Sequence, residues 1–155
     1  MLDIKTVLVP TDFSEASEAA LKYGMGLAEV FGASLHVVHV VEDLLAHAWA
    51  AENYVASVPG LREEIEHESA QRLSGILTDE ERRRYRAVVS LLKGNPFLEI
   101  IRYAKAQGVS LIVMGTHGRG PIAHMLLGSV AEKVVRKSPC PVLTVRETQH
   151  EFVMP

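Results

Sequence analysis

Five short runs rich in β-branched and apolar residues alternate with segments of helical periodicity, and this alternation is the strongest constraint on what the chain can fold into. The runs are Lys5 to Val9, Ser34 to Val41, Arg86 to Leu92, Ser110 to Met114 and Pro141 to Val145. Near-continuous apolar runs such as SLHVVHVV mark strands covered on both faces rather than strands with one wet side. Strands of that kind, separated by helices, predict an α/β fold: a three-layer, Rossmann-like arrangement with a five-stranded parallel sheet flanked by helices. In such folds a ligand crevice forms at the carboxyl ends of the strands.

The segments between the runs read as follows. Pro10, Thr11 and Asp12 end the first strand, and Asp12 with Glu15 has the spacing of a capping box opening a helix that runs to Gly32. Gly24 and Gly26 inside that helix each cost roughly 1 kcal/mol against Ala, so a close approach of the helix to the sheet is expected there. Residues 42–60, with Trp49 and Tyr54, read as a long connection or a partly helical lid. Leu61 to Leu77 reads as one charged helix, followed by DEERRR, where Asp79 and Arg83 are spaced for an i,i+4 pair. Asn95 and Pro96 have the N-cap and first-turn roles of the helix that stops at Gly108.

With 155 residues, 48% of them hydrophobic, the chain is expected to form one domain over residues 1–155, large enough to be stable without disulfides or a structural metal. Sixteen Lys and Arg against nineteen Asp and Glu leave a net charge of −3, so no nucleic-acid partner is expected. Cys140 is the single cysteine, which excludes an internal disulfide and any CxxC motif. No signal peptide or membrane span is read in the sequence, and a cytoplasmic location is expected. His36 and His39 lie three apart on a strand and so point to opposite faces, which argues against a shared metal.

The chemistry concentrates after the fourth strand, in Gly115-Thr-His-Gly118-Arg-Gly120 through Gly128-Ser129. A loop that leaves a strand's carboxyl end and re-enters a helix at Gly128-Ser129 offers unpaired N–H groups and a positive helix end to an anion, and glycine lets a phosphate approach closely. Ser129 adds a hydroxyl, and His117 and Arg119 bring charge or a hydrogen bond to the rim. The alternative is that the glycines only shape turns. The Walker A pattern is absent, because no glycine here is followed by Lys and then Ser or Thr. Gly118 to Ala123 spells GxGxxA, but it follows the fourth strand and contains Pro121, which is the wrong context for a dinucleotide fingerprint.

Gly115, Gly118, Gly128 and Ser129 fill the pattern G-x2-G-x9-G-[ST] without departure, and by this motif the chain resembles the ATP-binding branch of the universal stress protein family. The resemblance extends to VLVPTDFSE, LHVVHVVE, GNPFLEII and SPCPVLTV, and spares mainly residues 43–86. It implies an adenosine pocket of Pro10, Thr11, Asp12 and Val40, with Met114 on the adenine side. The phosphates would fall to Gly115, Gly118, Gly128, Ser129 and Val130. Asp12 suits ribose hydroxyls and equally a helix cap. Val40 would act through its backbone, with core packing as the competing role. The implied function is a nucleotide-dependent stress-response regulator that binds ATP, with Mg²⁺ held largely by the phosphates. A slow ATP hydrolase or nucleotidyl-transferring enzyme using the same pocket is the alternative, with His117 as the candidate base and Arg119 as the candidate cation. A homodimer is expected through the last strand, an apolar edge, with Phe152, Val153 and Met154 in the tail adding apolar surface.

Overall fold

The computed structural model describes residues 3–42, 59–116 and 127–146. The elements are β1 (Thr6–Pro10), α1 (Glu15–Phe31), β2 (Ser34–Val41), α2 (Leu61–Ser74), α3 (Asp79–Arg84), β3 (Val88–Lys93), α4 (Pro96–Ala106), β4 (Leu111–Gly115), α5 (Ser129–Lys137) and β5 (Val142–Val145). All five strands form one parallel sheet in the order β3-β2-β1-β4-β5. The α/β architecture read from the sequence is the one observed.

The two faces of the sheet carry separate apolar layers. Val7, Val9, Leu35, Val37 and Val113 pack under α1 and α2 with Ala20, Ala28, Leu73 and Leu77. Leu8, Val38, Ile112 and Met114 pack under α4 and α5 with Ile100, Ala104, Ala131 and Val134. The period of two along each strand assigns odd positions of β1 and β2 to one layer and even positions to the other. His36 and His39 obey the same alternation. The Nδ1 of His36 lies 2.9 Å from the Tyr103 hydroxyl on α4, whereas the His39 ring stacks on Phe13 on the other side.

Gly24 explains itself. A Cβ placed there would lie 2.4 Å from Cγ2 of Val9, so α1 rests on β1 with no room for a side chain. At Gly26 nothing within 4 Å would oppose one.

Several boundaries differ from the sequence reading, among them β1, which includes Pro10, and β4, which runs from Leu111 to Gly115. Ser14, not Asp12, caps α1: its side chain accepts from the Ser17 N–H, while Asp12 Oδ1 accepts from the N–H of Ser14 and bonds its hydroxyl. Asp12 is thus occupied bracing the turn that delivers the cap. The charged stretch breaks in two, because α2 stops at Ser74 before Gly75, and Thr78 with Glu81 forms a full capping box that starts α3. Asp79 and Arg83 do not pair; instead Arg84 holds Glu29 of α1 through two 2.9 Å bonds. β3 begins at Val88 rather than Arg86, since Arg86 sits at φ 45°, outside any strand conformation. β5 begins at Val142 rather than Pro141. Trp49, Tyr54 and the tail residues Phe152, Val153 and Met154 lie outside the described residues.

Candidate functional site

The order in which successive strands are added to the sheet reverses between β1 and β4. β2 and β3 follow β1 to one side, and β4 and β5 lie on the other. At such a reversal the loops leaving two neighbouring strands part in opposite directions and open a crevice at their carboxyl ends. A cleft of about 720 Å³ lies at this point.

One wall is the turn between β1 and α1. The Thr11 N–H continues the ladder to Val38 O at 2.8 Å, and the chain then leaves the sheet. The buried Thr11 hydroxyl accepts from the Phe13 N–H at 3.0 Å and meets Ser17 Oγ at 3.1 Å. Thr11 O lies 2.8 Å from His39 Nδ1, and because a carbonyl only accepts, that nitrogen carries the proton. Phe13 is held at φ 62°, an uncommon conformation for a residue with a bulky side chain. The bonds through Thr11 and the stack on His39, with ring centroids 4.5 Å apart, hold it there. Asp12 points one oxygen at Ser14, and among the described residues its Oδ2 takes no partner.

A second wall is the end of β2. β1 departs after Pro10, which pairs with Val38, while β2 continues to Val41. Alternate residues of a strand present their main-chain groups to the same side. Val38 O faces β1, and Val41 O faces β3, where it accepts from the Gly94 N–H at 3.0 Å. Val40 therefore presents its N–H and C=O to the side that β1 has vacated, which is the cleft.

The third wall is the junction of β4 with α5. Thr116 donates its N–H to Val145 O at 3.0 Å and accepts from the Gly128 N–H at 2.6 Å. Gly128 is the N-cap of α5 and contributes no side-chain cap. The first intrahelical bond is Glu132 N–H to Gly128 O, so the N–H groups of Ser129, Val130 and Ala131 have no helical acceptor. All three residues line the cleft. Gly115 has a packing role as well, for a Cβ there would come within 2.9 to 3.0 Å of the Ala16 main chain.

The structure thus brings Pro10, Thr11, Asp12, Val40, Met114, Gly115, Gly128, Ser129 and Val130 around one cleft. His117, Gly118 and Arg119 lie outside the described residues. The sequence reading missed the α2 wall, made by Ile65, Glu68, Ser69 and Arg72. Their i, i+3, i+4, i+7 spacing gave a single face, but nothing in the sequence said that this face looked toward the carboxyl end of the sheet. It also missed Phe13 and His39, whose roles depend on a contact between different elements.

Comparison with known proteins supplies the remaining observation. The sequence pattern of the universal stress protein family matches residues 3–146. The chain is 32% identical over 154 residues to universal stress protein MJ0577 of Methanocaldococcus jannaschii, covering 92% of this chain and 94% of that protein. It is 33% identical to universal stress protein YxiE of Bacillus subtilis over 147 residues, covering 90% of this chain and 97% of the relative. The solved structure of MJ0577 superposes with a TM-score of 0.79 at 30% identity, over 96% of this chain and 99% of the other. A universal stress protein crystallised in complex with cAMP superposes with a TM-score of 0.59 at 26% identity, covering 94% of this chain and 99% of its own.

Proposed function

The chain belongs to the universal stress protein family, and from that premise we propose that it is an ATP-binding regulatory protein of the stress response whose nucleotide occupies the cleft at the β1/β4 reversal. The observation that carries this reading is the run of three helix N–H groups, at Ser129, Val130 and Ala131, that take no acceptor among the described residues and belong to the lining of a cleft that also holds an open Val40 main chain. Helix N-termini of this kind favour phosphate through both free donors and the helix dipole. The open N–H and C=O pair of Val40 suits the donor and acceptor edge of adenine. Asp12 Oδ2 suits a ribose hydroxyl. The cAMP complex of the relative shows that the fold accommodates an adenine nucleotide in that protein.

In this reading Mg²⁺ accompanies the phosphates and is held largely by them. Among the described residues no group of three His, Cys, Asp or Glu side chains converges as a metal site. Mg²⁺ commonly takes one or two protein ligands and completes its shell with phosphate oxygens and water. When bound, it would neutralise charge on the triphosphate, and the chain's own part is to hold the nucleotide by main chain and helix end.

Regulation follows from such binding if nucleotide occupancy favours one conformation or one association state that other proteins read. The reading includes a cytoplasmic protein and a homodimer joined at the β5 edge. Among the described residues no helix is long and apolar enough to cross a membrane. The deciding experiment is to denature the purified protein, identify the released small molecules by mass, and titrate the emptied, refolded protein with ATP by calorimetry. Stoichiometric adenine nucleotide or a saturable ATP isotherm supports the reading. Absence of both nucleotide release and ATP binding at millimolar concentration would overturn it.

A further inference from the structure

The cleft is acidic where a nucleotide would need the opposite. Asp12, Glu42 and Glu68 line it, and among the described lining residues Arg72 is the one permanent cation. Arg72 comes from α2, outside the short motifs by which the sequence resembles the family. Its guanidinium carbon lies 4.3 Å from the centroid of the Phe13 ring, which itself stacks on His39. That chain of contacts runs from Arg72 through Phe13 and His39 to the Thr11 carbonyl, so the cation is seated against the same turn that carries Asp12. Among the described residues Arg72 forms no ion pair and no hydrogen bond, which leaves its donors available to a ligand.

The position of α2 is fixed from its far end too. Glu66 meets Lys93 of β3 at 2.6 Å, and Leu73 is buried in the layer beneath α1. Arg72 is therefore carried on a docked helix rather than on a free loop. Glu68, one turn earlier on the same helix, lines the cleft but lies beyond ion-pair distance of Arg72. A cation over an aromatic face keeps its charge and its edge donors, so the stack positions Arg72 without consuming it.

We propose that Arg72 is a ligand-facing specificity residue, the counter-charge that makes the cleft prefer nucleotides with more phosphate groups. This rests on the reading that the cleft binds adenine nucleotides. Without Arg72 the described lining carries three carboxylates and no cation, and each added phosphate charge would be repelled rather than offset. An uncharged nucleoside would not feel the difference.

The test compares adenosine, AMP and ATP by calorimetry on wild type, Arg72→Gln and Arg72→Lys, each without Mg²⁺ and at two salt concentrations. In Arg72→Gln, ATP should weaken roughly fivefold or more while adenosine changes by less than about twofold, with the gap narrowing at high salt. Arg72→Lys should keep the order ATP over AMP over adenosine. Equal loss of all three ligands in Arg72→Gln would make Arg72 a packing element of the wall and overturn the proposal. Unchanged ATP binding in Arg72→Gln would overturn it as well. Failure of the wild type to bind any of the three instead removes the nucleotide reading itself, and this proposal with it.

Discussion

The main-chain N–H of Gly128 donates to the carbonyl of Thr116 across 2.6 Å, which brings the two ends of the intervening glycine-rich segment together at the mouth of the cleft. The same bond removes Gly128's own N–H from the set available to a ligand. Among the described residues, the α5 N–H groups left without an acceptor therefore start at Ser129.

From this, Ser129→Ala should weaken ATP binding by about 1.5–3 kcal/mol if the hydroxyl donates to a phosphate oxygen, with the fold unchanged. Calorimetric titration alongside far-UV circular dichroism measures both. A loss well under this range would assign recognition to the main chain. Gly128→Val and Gly118→Val should abolish binding while leaving the circular dichroism spectrum intact, because a branched side chain would occupy the approach of the phosphate. Wild-type affinity in both variants would exclude this loop as the phosphate site.

Gly115 and Gly24 should behave as packing glycines. Gly115→Ala sets a Cβ against the Ala16 main chain, and Gly24→Ala sets one 2.4 Å from Val9 Cγ2. Each should cost about 1–3 kcal/mol of stability in urea unfolding. Gly26→Ala, which meets nothing within 4 Å, should be neutral or slightly stabilising.

Stability should fall as pH drops below the ordinary histidine value. Burial lowers the His36 pKa in the folded chain, so the unfolded chain binds its proton first. Stability contributed by neutral His36 is complete above about pH 6.5 and is lost as pH falls from there toward the depressed folded value. Thermal unfolding from pH 7.5 to 5 should show this decline, and His36→Val should flatten it. An equally steep profile in the variant would assign the effect elsewhere. Glu29, held low by its bonds to Arg84, acts only at more acidic pH.

The β5 edge offers a cleaner test of dimerisation than loss of apolar side chains. Pro141 O and Val145 O face β4, so Val142 and Thr144 present their main-chain groups outward. Val145 is buried in the core and is a poor place for a charge, whereas Leu143 is 39% exposed. Thr144→Pro removes an outward N–H and leaves the β4 ladder alone. Light scattering should find a dimeric wild type and a monomeric variant. A monomeric wild type at micromolar concentration, or a dimeric Thr144→Pro, rejects pairing at this edge.

ATP turnover, if measurable, should lie far below the roughly 10 s⁻¹ typical of enzymes. Among the described cleft residues the one group that ordinarily titrates near neutrality is His39, and its Nδ1 is engaged at the Thr11 carbonyl. His117→Ala should then leave the rate nearly unchanged. Turnover near the enzymatic range, lost in that variant, would favour the hydrolase.

The sequence displayed the fold because strand burial and helix periodicity are local signals. Val7 to Val9, Leu35 to Val38 and Leu111 to Met114 read as covered strands and are covered strands. It was less explicit where two local devices compete, as at Asp12 and Ser14, both able to cap a helix. The cap fell to Ser14 because Asp12 was already bonded to it. Arg72 and Phe13 could not be paired in advance, since their contact joins elements 59 residues apart in the chain and depends on how α2 docks.

Where β1 ends three residues short of β2, the opening it leaves is bounded by peptide groups of Val40. A partner recognised by peptide groups is indifferent to the side chain that carries them. On the nucleotide reading, position 40 can therefore change among residues that suit a strand without loss of the ligand. Substitution at Pro10 or Thr11, where the neighbouring strand stops, would disturb the opening itself.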